Sequence, residues 1–421
     1  MQHNEVVQKL QSNFSTTKNL KESGIPWLGK IPKHWEMRRV KHLFEIGRGR
    51  VISQEELDDS GMYPVYSSQT QDNGVLGYIR TYDFDCEQIT WTTDGVNAGT
   101  VFLRRGKHNC TNVCGTLRPK NKNENIVFLT FALQNATPYY KRPDTNGAKI
   151  MNNEMAEILL IYPPLKEQQA IADFLDKKTR QIEEFITKKQ KLITLLEEKK
   201  QTLINQCVTQ GLDPSTPLKD SGVEWIGKIP THWEMTKIKH FCEINPQTNQ
   251  EIPNHFTYID LESVTKGVLW KKQVISKEQA PSRAQRILQK KDILFQLVRP
   301  YQKNNYLFDE DGDYVASTGY AQVRTREYAK FIYYAFLEDS LIQRIALKCT
   351  GSNYPAITSS DFGDLKIPLP PLEEQKAIAE YLDTQIEKID LAICKIKSQI
   401  NLIKEYKTTL ISEAVCGRVG R

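Results

Sequence analysis

The stretch Gly24-Ile25-Pro26-Trp27-Leu28-Gly29-Lys30-Ile31 has the spacing of a phosphate-binding loop, G-x-x-x-x-G-K-[ST]. That loop works because small residues let backbone N–H groups wrap the phosphates, while a hydroxyl after the lysine holds Mg²⁺ at a helix start. Trp27 and Leu28 would crowd such a cradle. Ile31 stands where the hydroxyl is required, and Pro32 follows it. The residues therefore predict a tight, apolar, proline-fixed turn rather than an NTPase site.

Other groups that could do chemistry fare no better. His108, Cys110 and Cys114 lie close together, but a structural zinc site wants four ligands in paired short spacings. The chain has 8 cysteines and no Cys-x-x-Cys, so buried reduced thiols are expected and metal ligands are not. A nuclease would need clustered carboxylates with a lysine. Asp144 and the pair Asp176/Lys178 are available, yet Asp176 falls on a repeated helical pattern where its charge reads as a solvated face. Asn245-Pro246-Gln247 is a poor approach to the [DN]-P-P-[YF] signature of adenine methylases. G-x-G-x-x-G after a strand, H-E-x-x-H and G-x-S-x-G are absent. No catalytic residue is expected in the chain.

Two blocks, 47–162 and 245–369, instead carry residues suited to reading a nucleic-acid groove. The first has Arg48, Arg50, Ser67, Ser68, Gln69, Arg80, Thr93, Asn97, Arg104, Arg105, Lys107 and Lys149. The second has Lys266, Lys271, Lys272, Arg283, Arg286, Arg299, Lys303, Asn304, Tyr306, Tyr320, Gln322 and Asn353. Arginine and lysine neutralise phosphates or read guanine, and asparagine and glutamine read adenine. Taken singly, each such residue is more often an ordinary surface side chain than a base contact. The net charge of +6 favours an anionic partner without identifying it.

The elements that must position these residues are repeated. SGIPWLGKIPKHWEMRRVKHLFEI (23–46) returns as SGVEWIGKIPTHWEMTKIKHFCEI (221–244), and PPLKEQQAIADFLD (163–176) returns as PPLEEQKAIAEYLD (370–383). Each Pro-Pro-Leu opens a long helical pattern, since proline suits a helix start but not its interior. In the second copy Ile386, Ile393 and Ile400 form one row at seven-residue spacing, and Ile389, Ile396, Ile403 and Leu410 form the other. That is an apolar a/d seam. The first copy carries Ile182, Ile186, Ile193, Leu196 and Leu203, interrupted by Thr179 and Lys189; Lys200 and Lys407 hold the same heptad place. Rods of this length would expose their seams, so they are expected to pair with each other. The repeated tryptophans, Trp27/Trp225 and Trp35/Trp233, are expected to staple the turns to this scaffold, with a docking surface for a partner as the alternative, since aromatics are enriched at interfaces.

Both middle blocks read as β-rich, with short apolar runs such as Gln88-Ile89-Thr90-Trp91-Thr92 and Asp292-Ile293-Leu294-Phe295-Gln296-Leu297. Both end in polar loops, Thr145-Asn146-Gly147-Ala148-Lys149 and Thr350-Gly351-Ser352-Asn353-Tyr354. The flanks align between halves, but most of the middles do not. The fold class expected is α+β: two globular β-rich domains joined by a long two-helix coiled coil. Antiparallel rods would give the chain an internal pseudo-two-fold repeat that imitates a symmetric dimer.

A doubled G-x-x-W-[LI]-G-x-I-P-x-H-W-E, each copy followed by P-P-L-x-E-Q-x-A-I-A-x-[FY]-L-D, resembles the specificity subunit of type I restriction–modification systems. The resemblance covers nearly the whole chain. It implies a first target-recognition domain over 1–162 and a first coiled-coil helix over 163–210. A second target-recognition domain over 211–369 and a second helix over 370–421 follow. Each domain would read one half of an asymmetric, bipartite double-stranded DNA site, with the two helices paired antiparallel in a coiled coil that acts as a ruler between them. Two modification subunits would methylate adenine, and motor/restriction subunits would add cleavage. S-adenosylmethionine, ATP and Mg²⁺ would reside in those partners, leaving this chain non-catalytic.

At 421 residues the chain has room for two or three domains. No apolar run long enough to span a membrane occurs, and the polar start, MQHNEVVQKL, lacks the apolar core of a signal peptide. A cytoplasmic protein is expected.

Overall fold

The computed structural model describes residues 19–121, 123–145 and 147–418. The polar start of the chain and Asn146 of the first polar loop lie outside the described residues. The chain divides into two compact units: unit 1 is 1–189 with 398–421, and unit 2 is 190–397. Each unit therefore holds part of both long helices.

The repeated sequences form a repeated local structure. In unit 1 the strand Leu20–Glu22 pairs with Lys30–Pro32, and in unit 2 Leu218–Asp220 pairs with Lys228–Pro230. The intervening turn closes on itself: Leu28 and Gly29 both donate their backbone N–H to the Ile25 carbonyl, as Ile226 and Gly227 do to Val223. Gly29 sits at φ +65 and Gly227 at φ +72, where a side chain would be strained. The next strand of each repeat, Glu36–Arg39 or Glu234–Lys237, pairs antiparallel with the strand that leads into a rod, Leu159–Tyr162 or Lys366–Leu369. The two families of sequence repeat are thus one assembly within each unit.

The blocks that resist alignment share a topology. Unit 1 has a four-stranded sheet in the order Val101–Arg104, Gln88–Thr92, Cys114–Pro119, Phe44–Arg48. Unit 2 has Tyr306–Leu307, Ile293–Gln296, Tyr320–Thr325, Cys242–Ile244 in the same chain relationship. A second four-stranded sheet in each unit is built round a parallel pair, Tyr63–Tyr66 with Lys107–Cys110, or His255–Ile259 with Tyr314–Ser317. The central strands Gln88–Thr92 and Ile293–Gln296 are buried along their whole length, which explains their unbroken apolar or neutral runs.

The rods are Leu165–Gln210 and Leu372–Val415. Within unit 1, Lys407 meets Glu183 at 2.8 Å, and Trp35, which bonds Glu167 of the first rod, lies against Gly417 just past the second. Within unit 2, Lys200 meets Asp390 at 2.8 Å and Gly211 lies beside Glu374. In each unit the helices therefore run antiparallel. Ile389, Ile393, Ile396, Ile400 and Leu410 are buried, as is Ile182; Ile186, Ile193, Leu196, Leu203, Ile386 and Ile403 are half-buried. The first rod's seam is the looser, and Lys189 extends from it over the Phe185 ring at 5.3 Å. None of the described helices is long and apolar enough to cross a membrane.

Candidate nucleic-acid interface

The residues that could have supported catalysis are committed to structural contacts. In the Gly24–Lys30 turn the backbone N–H groups of Leu28 and Gly29 are spent on Ile25, Ile31 is fully buried, and Lys30 faces Glu22 at 3.6 Å. A phosphate would find no cradle there. His108 stacks on Phe84, its Nδ1 reaches the Gly106 carbonyl and its Nε2 meets the Gln88 amide, and burial lowers its pKa. Cys110 and Cys114 are buried thiols; a hydrogen bond with Cys114, then burial, raises the pKa of Cys110. Among the described residues no group of three or more His, Cys, Asp or Glu could hold a metal ion. Asp144 pairs with Lys149 at 2.9 Å, and Asp176 pairs with Arg180 along its own helix. Asn245 takes the Gln322 N–H on Oδ1 and donates to Ser359, so it ties two segments together.

The groove-reading candidates separate into three groups. Four of them are buried. Arg104 is 2 % exposed, donates to Thr90 and to the Asn73 carbonyl, and lies 3.5 Å from the Tyr66 ring centroid. Tyr320 is fully buried. Gln322 is 2 % exposed and donates to Ile287 and to buried Asp292, which Arg324 clamps through two bonds of 2.9 Å. These three belong to the interior and are withdrawn as DNA contacts. Thr93 is likewise buried. Their residue types matched groove reading, but they are consumed in satisfying buried polar groups.

A second group is neutralised at the surface. Arg50 lies between Glu56 and Asp83, Arg80 pairs with Asp58, Arg105 with Glu87, and Lys149 with Asp144. In unit 2, Lys266 pairs with Glu197, Lys271 with Asp260, Lys272 with Glu310, and Lys303 with Asp339. The exposed pairs among these, such as those of Arg80, Arg105 and Lys266, are weak; Lys303 is half-buried and also donates to the Leu337 carbonyl. Gln69 is half-buried and its amide donates to the Val75 carbonyl; Ser67 and Ser68 are half-buried; Tyr306 donates to Glu310; Asn304 accepts from the Lys266 backbone.

The third group keeps its charge or amide available. Among the described residues Arg48, Lys107, Arg283 and Arg299 have no carboxylate within ion-pair distance, and all but half-buried Arg299 are exposed. Half-buried Arg286 also lacks one, and its buried Nε has no hydrogen-bond partner. Lys107 lies over the Tyr82 ring at 4.5 Å, and Arg299 over the Tyr354 ring at 4.7 Å. Asn97 and Asn353 are exposed at loop tips.

Sequence reading missed one juxtaposition. In each unit the loop leaving the buried central strand meets the polar loop that precedes the rod. In unit 1 Asp94 pairs with Lys149 and Gly95 with Ala148, and Ile150 donates to Thr93. In unit 2 Val298 bridges Ala356, Arg299 donates to Pro355, and Ile357 donates to Leu297. The two loop pairs occupy the same place in one topology and carry different side chains. The polar loops were visible in the sequence; their partners, about fifty residues upstream, were not.

Comparison with known proteins agrees with this architecture. Residues 32–195 and 230–402 match the type I restriction modification DNA specificity domain, once in each half. The type I restriction enzyme MpnII specificity subunit of Mycoplasma pneumoniae is 44 % identical over 142 residues, covering 34 % of this chain and 43 % of that protein. The chain spans about half the length of the Mycoplasma relatives it matches. The type I restriction enzyme MjaVIII specificity subunit of Methanocaldococcus jannaschii is 24 % identical over 407 residues, covering 91 % of this chain and 93 % of that one. A solved chain, from work on complex assembly and conformational transition of the type I R-M system, superposes with a TM-score of 0.67. It is 15 % identical and covers 92 % of this chain and 99 % of its own. With the family's domain matched twice over most of its length, this chain belongs to the type I restriction–modification DNA specificity family.

Proposed function

We propose that the chain reads an asymmetric, two-part DNA site, one half per unit, and directs adenine methylation and restriction carried out by partner subunits. The observation that carries this reading is that one chain builds the same two-sheet domain twice and dresses the equivalent loops differently. Identical loops would suit a palindrome; dissimilar loops suit two unrelated half-sites. Unpaired Arg48 and Lys107 in unit 1, and Arg283 and Arg299 in unit 2, supply charge for phosphates and base edges.

The chain itself acts as a non-catalytic subunit, bound to two modification subunits and, for cleavage, to motor/restriction subunits. The methyl donor S-adenosylmethionine, together with ATP and Mg²⁺, belongs to those partners. Extrusion of the target adenine from the duplex is likewise a partner's task. The names of the Mycoplasma and Methanocaldococcus relatives, each a type I restriction enzyme specificity subunit, support this division of labour.

The test is long-read mapping of methylated adenine in the source genome with and without the gene. One asymmetric two-part motif with a fixed gap should vanish on deletion. An unaltered methylation pattern in a strain that expresses the modification subunits would overturn the reading.

A further inference from the structure

Arg299 stands where the buried strand Ile293–Gln296 gives way to the short turn Pro300–Gln302. Its backbone is left-handed, at φ 54 and ψ 52. That region is unfavourable for a side-chain-bearing residue, and proline in the next position drives its predecessor toward extended backbone. The flanking hydrogen bonds identify the equivalent residue of unit 1 as Gly95, at φ +86, where the conformation is free of strain. Unit 2 thus keeps an arginine at a position whose backbone asks for glycine. Strain of this kind persists where the side chain has a task.

The side chain is also prepared for one. Nη2 donates to the Asn353 carbonyl at 2.9 Å, and the guanidinium lies over the Tyr354 ring. Tyr354 is 70 % exposed, so the stacked pair borders solvent. Lys303, the other left-handed cation of this turn, is consumed by Asp339 and the Leu337 carbonyl. Arg299 meets no carboxylate among the described residues. One donor is spent on Asn353, which leaves a planar fork free, its orientation fixed by the ring and the carbonyl beneath it.

We propose that Arg299 is a specificity-determining residue that reads a guanine, through O6 and N7, in the half-site bound by unit 2. The proposal rests on the DNA-reading function argued above. A fork held in advance matches guanine's two acceptors in the major groove, the commonest arginine–base contact, and loses little freedom on binding.

The experiment maps methylated adenine produced by the complete system carrying the natural chain, Arg299→Ala or Arg299→Gln. The natural motif should contain a guanine in one half whose replacement is rejected. Arg299→Ala should relax discrimination at that single base pair by about 5- to 150-fold, with the other half-site and the gap unchanged. Arg299→Gln should move the preference there toward adenine. Should Arg299→Ala abolish methylation, binding of the purified complex to duplexes altered one base pair at a time replaces the mapping. A loss confined to the guanine pair supports the proposal, and an equal loss on every duplex makes Arg299 a phosphate contact and overturns it. Unchanged strictness in both variants also overturns it while leaving the function of the chain intact. If the natural system marks no two-part motif, the function itself fails and the assignment of Arg299 falls with it.

Discussion

Trp35 and Trp233 are fully buried, and each indole N–H donates to a glutamate in the first turn of a rod: Glu167 at 2.8 Å, Glu374 at 3.0 Å. His34 and His232 reach the same carboxylates at 2.8 and 2.9 Å. An acidic group at a helix start is favoured by the helix dipole, so each glutamate serves both the rod and the repeat element. Glu167→Ala would leave a buried indole donor without an acceptor, at a cost of about 1–3 kcal/mol, while Glu167→Gln keeps an acceptor and should cost less. Denaturant unfolding followed by tryptophan fluorescence compares the two; equal stability of all three proteins would show that the clasp contributes nothing. The staple expected of the repeated tryptophans takes this form at Trp35 and Trp233; what H-W-E and P-P-L-x-E-Q did not display, standing as separate repeats, is that the glutamate of the second is the acceptor. Residue type misled in the opposite direction at Arg104, Tyr320 and Gln322. Groove chemistry and buried hydrogen bonding use the same side chains, and only burial distinguishes them.

At the scale of elements, the rods were legible because a seven-residue apolar period leaves few alternatives. The central strands of the middle blocks were legible too, as the short apolar runs Gln88–Thr92 and Ile293–Gln296; the order of the strands in the sheets was not, because a strand buried along its whole length carries no alternation to say which neighbour it meets. The equivalence of the two middles was hidden for another reason: topology is held by backbone ladders, which many side chains satisfy. Lys200 and Lys407, which share a heptad place, each cross to an acid on the other rod, Asp390 or Glu183. Exposed pairs like these contribute little energy, so the buried isoleucines hold the rods together and the lysines fix register. If the rods set the half-site gap, adding one heptad to each of them at 189/190 and 397/398 should lengthen the gap. Seven residues add about 10 Å of helix, equivalent to about three base-pair steps. Methylation mapping that returns the original gap would refute the ruler. A heptad added to the first rod alone should instead misalign the seam, and loss of soluble protein is the expected result.

For the whole molecule, the consequence of building one topology twice is exchangeability. Within each unit the repeat element and the rod form a frame: the strand Glu36–Arg39 or Glu234–Lys237 pairs with the strand entering the rod, and tryptophan locks onto the rod's first turn. The block between those fixed ends contributes the loops that differ. Replacing 245–369 by the corresponding block of another family member keeps the Trp233–Glu374 bond, lets the donor's own strand take the place of Lys366–Leu369 against Glu234–Lys237, and leaves every residue of unit 1 in place. The expected product methylates a hybrid motif, in which the half-site read by unit 1 is retained, the other half is that of the donor, and the gap is unchanged. A motif altered in both halves would mean that the two blocks read DNA jointly, and the one-half-per-unit assignment would fall. The exchange also separates the two kinds of contact in the interface. Phosphate contacts carry no sequence information, so a hybrid that retains a similar number of unpaired cations should show a similar slope of affinity against salt concentration. A changed motif with an unchanged salt slope would place specificity in the loops and affinity in the distributed charge, whereas a slope that changed with the motif would make the same side chains responsible for both.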